Sequence, residues 1–414
     1  MDDFSRYIKR NMENSFVRAA REYPALLLTG PRQTGKTTML KRLMEAENRN
    51  RTYVNLDDYD ARTMALGDPV FFFQTYKPPL LIDEVQYAPG LFTGIKKLID
   101  MGAKPGDFWM TGSQLFKLMK GVQESLAGRV ALLHLSPLSQ QEIFPAFDPS
   151  PFTLDYQKLL ERQEKTKPVN AVKLFERIFR GSMPGLASGK FTDRELYYSG
   201  YIKTYLERDI RDLVSGIDFL KFIDFIRSAA ARTSQLVNYK HIADDADMNQ
   251  ETAKRWLLLL ESLGIVFFIH PYHNNVLKRM ISTPKLYFYD TGLAVYLTRW
   301  NSCETLMNGA MNGAFLENYC LSEIIKGFEN AGKEAVMYFY RDKDAKEIDL
   351  ILEGDGMLMP LEIKKTSSPV KSMIASFTAL EKPPLKRGTG ALICLAEHLG
   401  AFDQDNLIVP IGLL

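Results

Sequence analysis

Cysteine is scarce in this chain of 414 residues: Cys303, Cys320 and Cys394 are widely spaced and form no C-x-x-C pair. That excludes a disulfide framework and a cysteine-ligated zinc site. No apolar run approaches the length of a membrane span, and even residues 257–260 and 265–269 are short, so no membrane partner is expected. The start, Met1 to Phe4 followed by Arg6, Lys9 and Arg10, lacks the apolar centre of a secretory signal; a cytoplasmic location is the expectation. Charge of one sign is not in excess, since 52 Lys plus Arg stand against 50 Asp plus Glu. Any nucleic-acid site must therefore be a local patch. There is no fixed-period repeat and no low-complexity tract. What remains is 46% hydrophobic and 25% charged, the make-up of a globular protein, at a length that predicts about two to four domains.

The first third alternates short apolar strands (25–28, 52–56, 79–82, 108–110 and 130–135) with helical stretches such as 36–45. This pattern predicts an α/β unit with a parallel sheet. Residues 155–215 are charged, aromatic and mostly helical, 219–290 read as helices and then a β-hairpin, and 313 onward as a helix followed by strands at 335–340, 347–353 and 357–364. Four units follow: 1–140, 141–215, 216–305 and 306–414.

The chemistry begins at Gly30-Pro31-Arg32-Gln33-Thr34-Gly35-Lys36-Thr37-Thr38, which matches G-x-x-x-x-G-K-[ST] between a strand and a helix. The glycines let the backbone curl until its N–H groups point inward and cradle phosphates at the positive end of the helix. Lys36 is expected to reach the β- and γ-phosphates, and Thr37 to offer its hydroxyl to Mg²⁺. Downstream, Leu80-Leu81-Ile82-Asp83-Glu84 is an apolar strand ending in two acids. Asp83 belongs beside the metal, and Glu84 where it orients the attacking water. An acidic pair alone is an ordinary solvated strand end; paired with the loop it becomes specific. The strand at 52–56 points to the branch of P-loop NTPases with an extra strand between the loop strand and the acid strand. Thr111-Gly112-Ser113-Gln114 ends a further strand, where Ser113 is a candidate γ-phosphate sensor, the plainer reading being a tight turn. Arg129 is a candidate arginine finger acting across a subunit interface, against the commoner role of surface ion pair. ATP and Mg²⁺ are the expected ligands, and a homo-oligomer is an expected partner state.

Residues 234–264 have the form of a winged helix: a helix at 239–246, a turn, and a second helix at 250–263 capped by Asn249 and ended by Gly264. Ala253, Trp256, Leu257, Leu260 and Leu263 share one face and read as core. The charge opposes DNA binding, because Lys240, Lys254 and Arg255 meet Asp244, Asp245, Asp247, Glu251 and Glu261.

The carboxyl-terminal part carries a second signal. Gly354-Asp355-Gly356 is a hairpin turn between two apolar strands. Asp349 lies on the first, and Glu362 and Lys364 share a face of the second. Two carboxylates and a lysine can hold Mg²⁺ and activate water against a phosphodiester, with Glu317 as a third acid; an edge strand with a solvated charged face is the alternative. Residues 364–387 hold Lys364, Lys365, Lys371, Lys382, Lys386 and Arg387 against the single acid Glu381, a segment that can attract DNA.

These residues together resemble the prokaryotic AAA-type P-loop ATPases whose C-terminal half is a domain of unknown function with a restriction-endonuclease-like core. The likeness spans nearly the whole chain. It rests on Gly30 to Thr37, Tyr53-Val-Asn-Leu-Asp57, Leu81-Ile-Asp-Glu84-Val-Gln86, Thr111-Gly-Ser113 and Ser125-Leu-Ala-Gly-Arg129. It continues through Leu138-Ser139, Thr204-Tyr-Leu-Glu-Arg-Asp209, Pro284-Lys285, Asp290-Thr-Gly292, Glu347-Ile-Asp349 and Glu362-Ile-Lys364. Gly181-Ser-Met-Pro184-Gly185 departs from the family's usual Gly-Gly-Phe/Tyr-Pro-Glu. The resemblance implies an AAA-type sheet, a helical and winged-helix region, and a nuclease-like α/β domain of the P-D-(D/E)-x-K group, whose pattern falls on Glu317, Asp349, Glu362 and Lys364. Three functions follow: an Mg²⁺-dependent ATPase coupled to that module, an ATP-gated DNA endonuclease, and an ATP-dependent switch with a non-catalytic binding tail.

Overall fold

The computed structural model describes residues 7–113, 118, 122, 124–146, 149–213, 218–273, 283–342, 346–381 and 386–414. Gln114 and Lys382, named above, lie outside them, as does the start of the chain through Arg6. Five strands, β1 (Ala25–Thr29), β2 (Thr52–Asn55), β3 (Leu80–Asp83), β4 (Phe108–Thr111) and β5 (Val130–His134), form a parallel sheet in the order β2-β3-β4-β1-β5. The central strands β1, β3 and β4 are buried at every position, and apolar except at their last residues, because helices cover both faces. Alternation then sorts the side chains. Ala25, Leu27, Ile82, Phe108 and Met110 join one core, while Leu26, Leu28, Leu81 and Trp109 join another with Met39 and Leu40 of helix α2 (Lys36–Ala46) and Phe16 of α1 (Met12–Ala19).

The expected extra strand is present, but it is β4 that separates β1 from β3, and β2 is the edge. The residues explain this: β4 is buried throughout, whereas Thr52 of β2 is exposed. β1, β3 and β4 end together, so the phosphate loop, the two acids and Thr111 meet at one edge of the sheet.

The second half is built on an eight-stranded mixed sheet, β12-β13-β11-β10-β9-β8-β6-β7. Its strands are β6 (Val266–Pro271), β7 (Lys285–Phe288), β8 (Met337–Arg341), β9 (Glu347–Gly354), β10 (Met357–Ile363), β11 (Gly390–Cys394), β12 (Gly400–Asp403) and β13 (Asn406–Pro410). Asp355 and Gly356, with φ of 51° and 71°, make the tight turn between β9 and β10. Leading into the sheet are helices α3 (Glu207–Leu213), α4 (Tyr239–Asp245) and α5 (Gln250–Ser262). Asn249 caps α5 through its side chain, and Ala253, Trp256, Leu257, Leu260 and Leu263 are all buried, as the spacing predicts. The hairpin β6–β7 belongs to the same sheet as the C-terminal strands, because β6 pairs in parallel with β8. One hydrophobic core runs from Phe152 to Leu414, across the boundaries expected near 215 and 305. The long helix α6 (Asn312–Asn330) is clamped to β7 by Asn318, whose amide exchanges hydrogen bonds with Phe288 N and O at 2.7 and 2.8 Å. All three cysteines are unpaired. No helix among the described residues is long and apolar enough to cross a membrane.

Asp290 binds three parts of this half. Its carboxylate accepts from Ser182 N (2.7 Å), Ser182 Oγ (3.1 Å), Tyr198 Oη (2.6 Å) and, as a helix cap, Leu293 N (3.1 Å). The 181–185 loop that departs from the family pattern is thus a packing junction. Asp290→Ala strands these buried donors and is expected to cost roughly 3 kcal/mol, read as a lower urea midpoint; Asp290→Asn, which keeps an acceptor, should cost less.

Candidate functional site

The loop after β1 curls tightly. Gly30 (φ 136°) passes so close to the segment after β5 that a Cβ there would sit 2.3 Å from the Leu135 carbonyl oxygen, so only glycine fits. Gln33 and Gly35 are also left-handed, at φ 61° and 90°, and Lys36 opens α2. Lys36 is buried and donates to the carbonyls of Gly30 (2.9 Å) and Pro31 (2.7 Å). Thr34 and Pro31 are buried, Arg32, Gln33, Gly35 and Thr37 half-buried, and Thr38 exposed on the first turn of α2.

Asp83 is the centre of the site. It is buried and accepts from Thr37 Oγ1 (2.9 Å to each carboxylate oxygen), from Tyr53 Oη (3.0 Å) and from Thr111 Oγ1. Glu84 follows in the left-handed region (φ 56°), a conformation that costs about 1–2 kcal/mol for a side-chain-bearing residue. Its N–H donates to Thr111 Oγ1 at 3.1 Å, and its carboxylate takes bonds from Gln86 Nε2 and from Ser113 Oγ (3.4 Å). Strain at such a residue, over-determined by neighbours, is typical of a working position. Ser113 thus lies in the site through Glu84. Tyr53, Gln86 and Thr111 stood in the family motifs without a role; their hydroxyls and amide set the two acids. Arg10 had no local signal. It is buried and joins Thr34 O (2.6 Å), Ser136 O (2.8 Å) and Glu142 (2.9 Å), bracing the loop from below. At the rim, Tyr87 Oη accepts from Arg208 (2.9 Å) and Arg32 (3.4 Å). Arg208 lies in the first turn of α3, which follows directly on a π-helical turn, Tyr201–Leu206.

Arg129 does not join this group. It precedes β5, whose Val130 pairs with Ala25 at the start of β1, so the strand's length, roughly 16 Å, separates it from the loop at the other end. Its guanidinium is paired with Asp100 at 3.0 Å. That pairing is the surface ion pair of the plainer reading; a finger acting across a subunit interface would serve a neighbouring copy's site and needs no place in this one.

The expected C-terminal residues do converge, but around ammonium groups rather than as a metal cage. Lys364 Nζ lies 2.7 Å from Glu362 Oε1 and 3.4 Å from Asp349 Oδ2. Asp349 Oδ2 also accepts from Ile363 N at 2.9 Å. Glu317 accepts from Lys285 Nζ (3.1 Å) and Tyr287 Oη (2.6 Å), and Lys285 also reaches Glu347 at 2.5 Å. Among the described residues no group of three or more His, Cys, Asp or Glu is set to hold a metal ion. The metal role expected of Glu317, Asp349 and Glu362 is corrected accordingly: lysines fill the gap. Lys285 was quoted from the sequence without a role. Within the basic segment, Lys371 pairs with Asp403 (2.8 Å) and Arg387 with Glu381 (2.9 Å), while Lys365 donates to Met307 O (2.6 Å).

Burial first, then the nearby charge of Asp349, pushes the Glu317 and Glu362 carboxyls up from 4.5 to about 7.

The parallel sheet, its glycine loop and the acid pair define a P-loop NTPase of the AAA type, and a family model described as an AAA domain matches residues 22–144. Two domains of unknown function, DUF8612 and DUF4143, match 172–304 and 312–414. Uncharacterized protein Rv2008c of Mycobacterium tuberculosis (strain ATCC 25618 / H37Rv) is 30% identical over 404 residues, covering 97% of this chain and 83% of that protein. Uncharacterized protein Mb2031c of Mycobacterium bovis (strain ATCC BAA-935 / AF2122/97) matches to the same extent. The chain belongs to the family of these AAA-domain proteins. Among solved structures, the Walker-type ATPase PABY2304 of Pyrococcus abyssi is similar at 15% identity and a TM-score of 0.44, over 69% of this chain and 94% of that one. The Holliday junction branch migration motor RuvB of Thermotoga maritima gives 15%, 0.31, 62% and 88% in the same order.

A carboxyl that holds its proton more tightly when folded stabilises at low pH, and that contribution is lost as pH rises. Between pH 4.5 and about 7, the wild type should lose stability on account of these two acids. Glu317→Gln should flatten that part of a thermal-melt profile; an unchanged slope would place the titration elsewhere.

Proposed function

We propose that the protein binds ATP with Mg²⁺, hydrolyses it, and passes the nucleotide state to its C-terminal half as a switch. The reading is carried by one observation: a P-loop threonine and the strand-end acid, Thr37 and Asp83, are within 2.9 Å of each other while Glu84 is held beside them. The site suits a hard cation, since its donors are all oxygens: the Thr37 hydroxyl and the Asp83 carboxylate, the latter oriented by Tyr53 and Thr111. Bound there, Mg²⁺ would neutralise charge between the β- and γ-phosphates. Lys36 supports the same phosphates from the loop. Glu84 accepts the proton side of the attacking water, and Gln86 and Ser113 fix its carboxylate for that task. Arg32 and Arg208 add positive charge at the rim.

A continuous set of contacts supports the switch. The end of α5 rests on the loop, for a Cβ at Gly264 (φ 69°) would lie 2.9 Å from the Pro31 ring. His134, at the end of β5, packs on Tyr289 with ring centroids 5.8 Å apart, and Tyr289 Oη donates to Glu329 at 2.9 Å. Arg10 holds the carbonyls of both Thr34 and Ser136, and the Ser136 hydroxyl donates to Glu329 of α6. Loop motion on binding or release of a γ-phosphate is thereby felt by α6. The lysine-filled carboxylate cluster favours a binding tail over DNA cleavage.

Lys36→Ala should abolish nucleotide binding, measured with a fluorescent ATP analogue. Glu84→Gln should keep binding and lower phosphate release by roughly 10²–10⁴-fold, the usual worth of a general base. Wild-type turnover in both variants would sink the assignment.

A further inference from the structure

A cleft of about 450 Å³ opens between the short helix Gln140–Ile143, the helix Ala171–Arg180 and residues 167–169, which lead into the latter. It shares no lining residue with the phosphate loop or the carboxylate cluster, and its size is that of a small-molecule site. One wall is braced before any ligand arrives. Ser139 and Glu142 close a capping box around the short helix, Glu142 pairs with buried Arg10 at 2.9 Å, and Gln140 N donates to Glu323 at 2.6 Å. A preformed wall spares a ligand the cost of ordering it.

The lining combines three chemistries. Lys167, Lys173, Arg177 and Arg180 bring four positive charges against the single acid Glu176. Arg177 lies over the Phe144 ring at 4.3 Å and donates to the Tyr319 hydroxyl, and Arg180 donates to Leu186 O at 2.6 Å; none of these contacts supplies a full negative charge. A cleft lined by one sign of charge concentrates the opposite ion. A phosphate monoester carries nearly two negative charges at neutral pH and takes arginine forks on its oxygens, where a carboxylate brings only one charge. Ile143, Phe144 and Val169 add an apolar flank, and Phe144 is 51% exposed, a ring open to a planar body. Gln140 is only 9% exposed, and its Oε1 has no hydrogen-bond partner among the described residues. An unmet buried acceptor costs about 1–3 kcal/mol, and an N–H on a ligand would meet it.

We propose that this cleft binds a nucleoside monophosphate: its phosphate among Lys167, Lys173, Arg177 and Arg180, its base against Phe144, and a base N–H to Gln140 Oε1. Phosphate, planar ring and N–H donor answer the three chemistries of the lining, and this ligand class carries all three. The site is separate from the phosphate loop and stands whether or not that loop hydrolyses ATP.

The test is calorimetric titration of the full chain at low salt with adenosine monophosphate (AMP), and in parallel with phenyl phosphate and inorganic phosphate. One AMP site is expected. Lys167→Gln combined with Lys173→Gln, both at exposed positions, should weaken it about ten-fold or more, while Lys36→Ala should leave it unchanged. Phenyl phosphate, which has the ring but no N–H, should bind less tightly than AMP, and inorganic phosphate least of all. Gln140→Leu should lower AMP affinity to that of phenyl phosphate without altering phenyl phosphate itself; should this variant fail to fold, the three ligands and the double lysine variant carry the test alone. Four outcomes overturn the idea. They are no saturable AMP binding at millimolar concentration, AMP binding untouched by the double lysine variant, loss of AMP binding in Lys36→Ala, which would put AMP in the phosphate loop, and phenyl or inorganic phosphate binding as tightly as AMP, the mark of an adventitious ion only. Failure of Lys36→Ala to affect ATP binding would leave these isotherms unchanged, so the two readings fail separately.

Discussion

The Asp83 carboxylate is the constraint on which the first half of the molecule is arranged. It is buried at the end of β3 and takes hydroxyl donors from three other places: Thr37 on α2, Tyr53 on β2 and Thr111 on β4. A buried carboxylate is tolerated only when its oxygens are met, and hydrogen bonds to a charged acceptor contribute about 1.5–3 kcal/mol each. One acid therefore fixes the register of β2, β3 and β4 at the edge where the phosphate loop lies. Glu84 inherits its strained backbone from this arrangement. Its N–H is held by the same Thr111 hydroxyl that reaches Asp83, so the two acids cannot be positioned independently.

A second set of contacts makes the site more than local. The loop touches the chain's second half at Pro31, beneath Gly264, and its carbonyls are braced by Arg10, which also reaches Ser136 and Glu142. Lys326 of α6 donates to Leu138 O (3.3 Å) and pairs with Glu323 (3.0 Å), while Glu323 accepts from Gln140 N (2.6 Å). The polypeptide after β5 is thus laid along α6 by polar contacts, several of them buried. Such contacts have directional geometry, so a small displacement at the loop is not absorbed the way an apolar interface would absorb it. This is the physical basis for treating the two halves as communicating.

Much of this was legible in the sequence because it is written locally. The glycine loop, the apolar strand before Asp83 and the Asn249 cap each depend on residues a few positions apart, and the structure has them where spacing puts them. The exchange of β2 and β4 in the sheet order was not legible. Both are short, and only their burial, set by helices distant in sequence, decides which is central. Arg10 and Glu142 are 132 residues apart, and no pattern joins them. The position of Arg129 was not legible either, because a loop arginine says nothing about which end of a parallel strand it occupies. The hairpin β6–β7 was read from its own alternation, but its pairing with β8 is a tertiary choice.

The carboxyl-terminal cluster shows where motif reading fails for a definite reason. A pattern of acids two and thirteen residues from one another records which oxygens will meet, since strands and turns fix that. It does not record what cation arrives to meet them. Lys285 arrives from a strand more than sixty residues upstream of Asp349, carried in by an edge pairing and a helix clamp that the acids take no part in. Once there it changes the chemistry, because an ammonium offers hydrogens where a divalent ion offers open coordination positions. The four carboxylates are thus met by two lysines, Lys364 from the motif itself and Lys285 from another part of the fold, and only the first was visible in the local pattern.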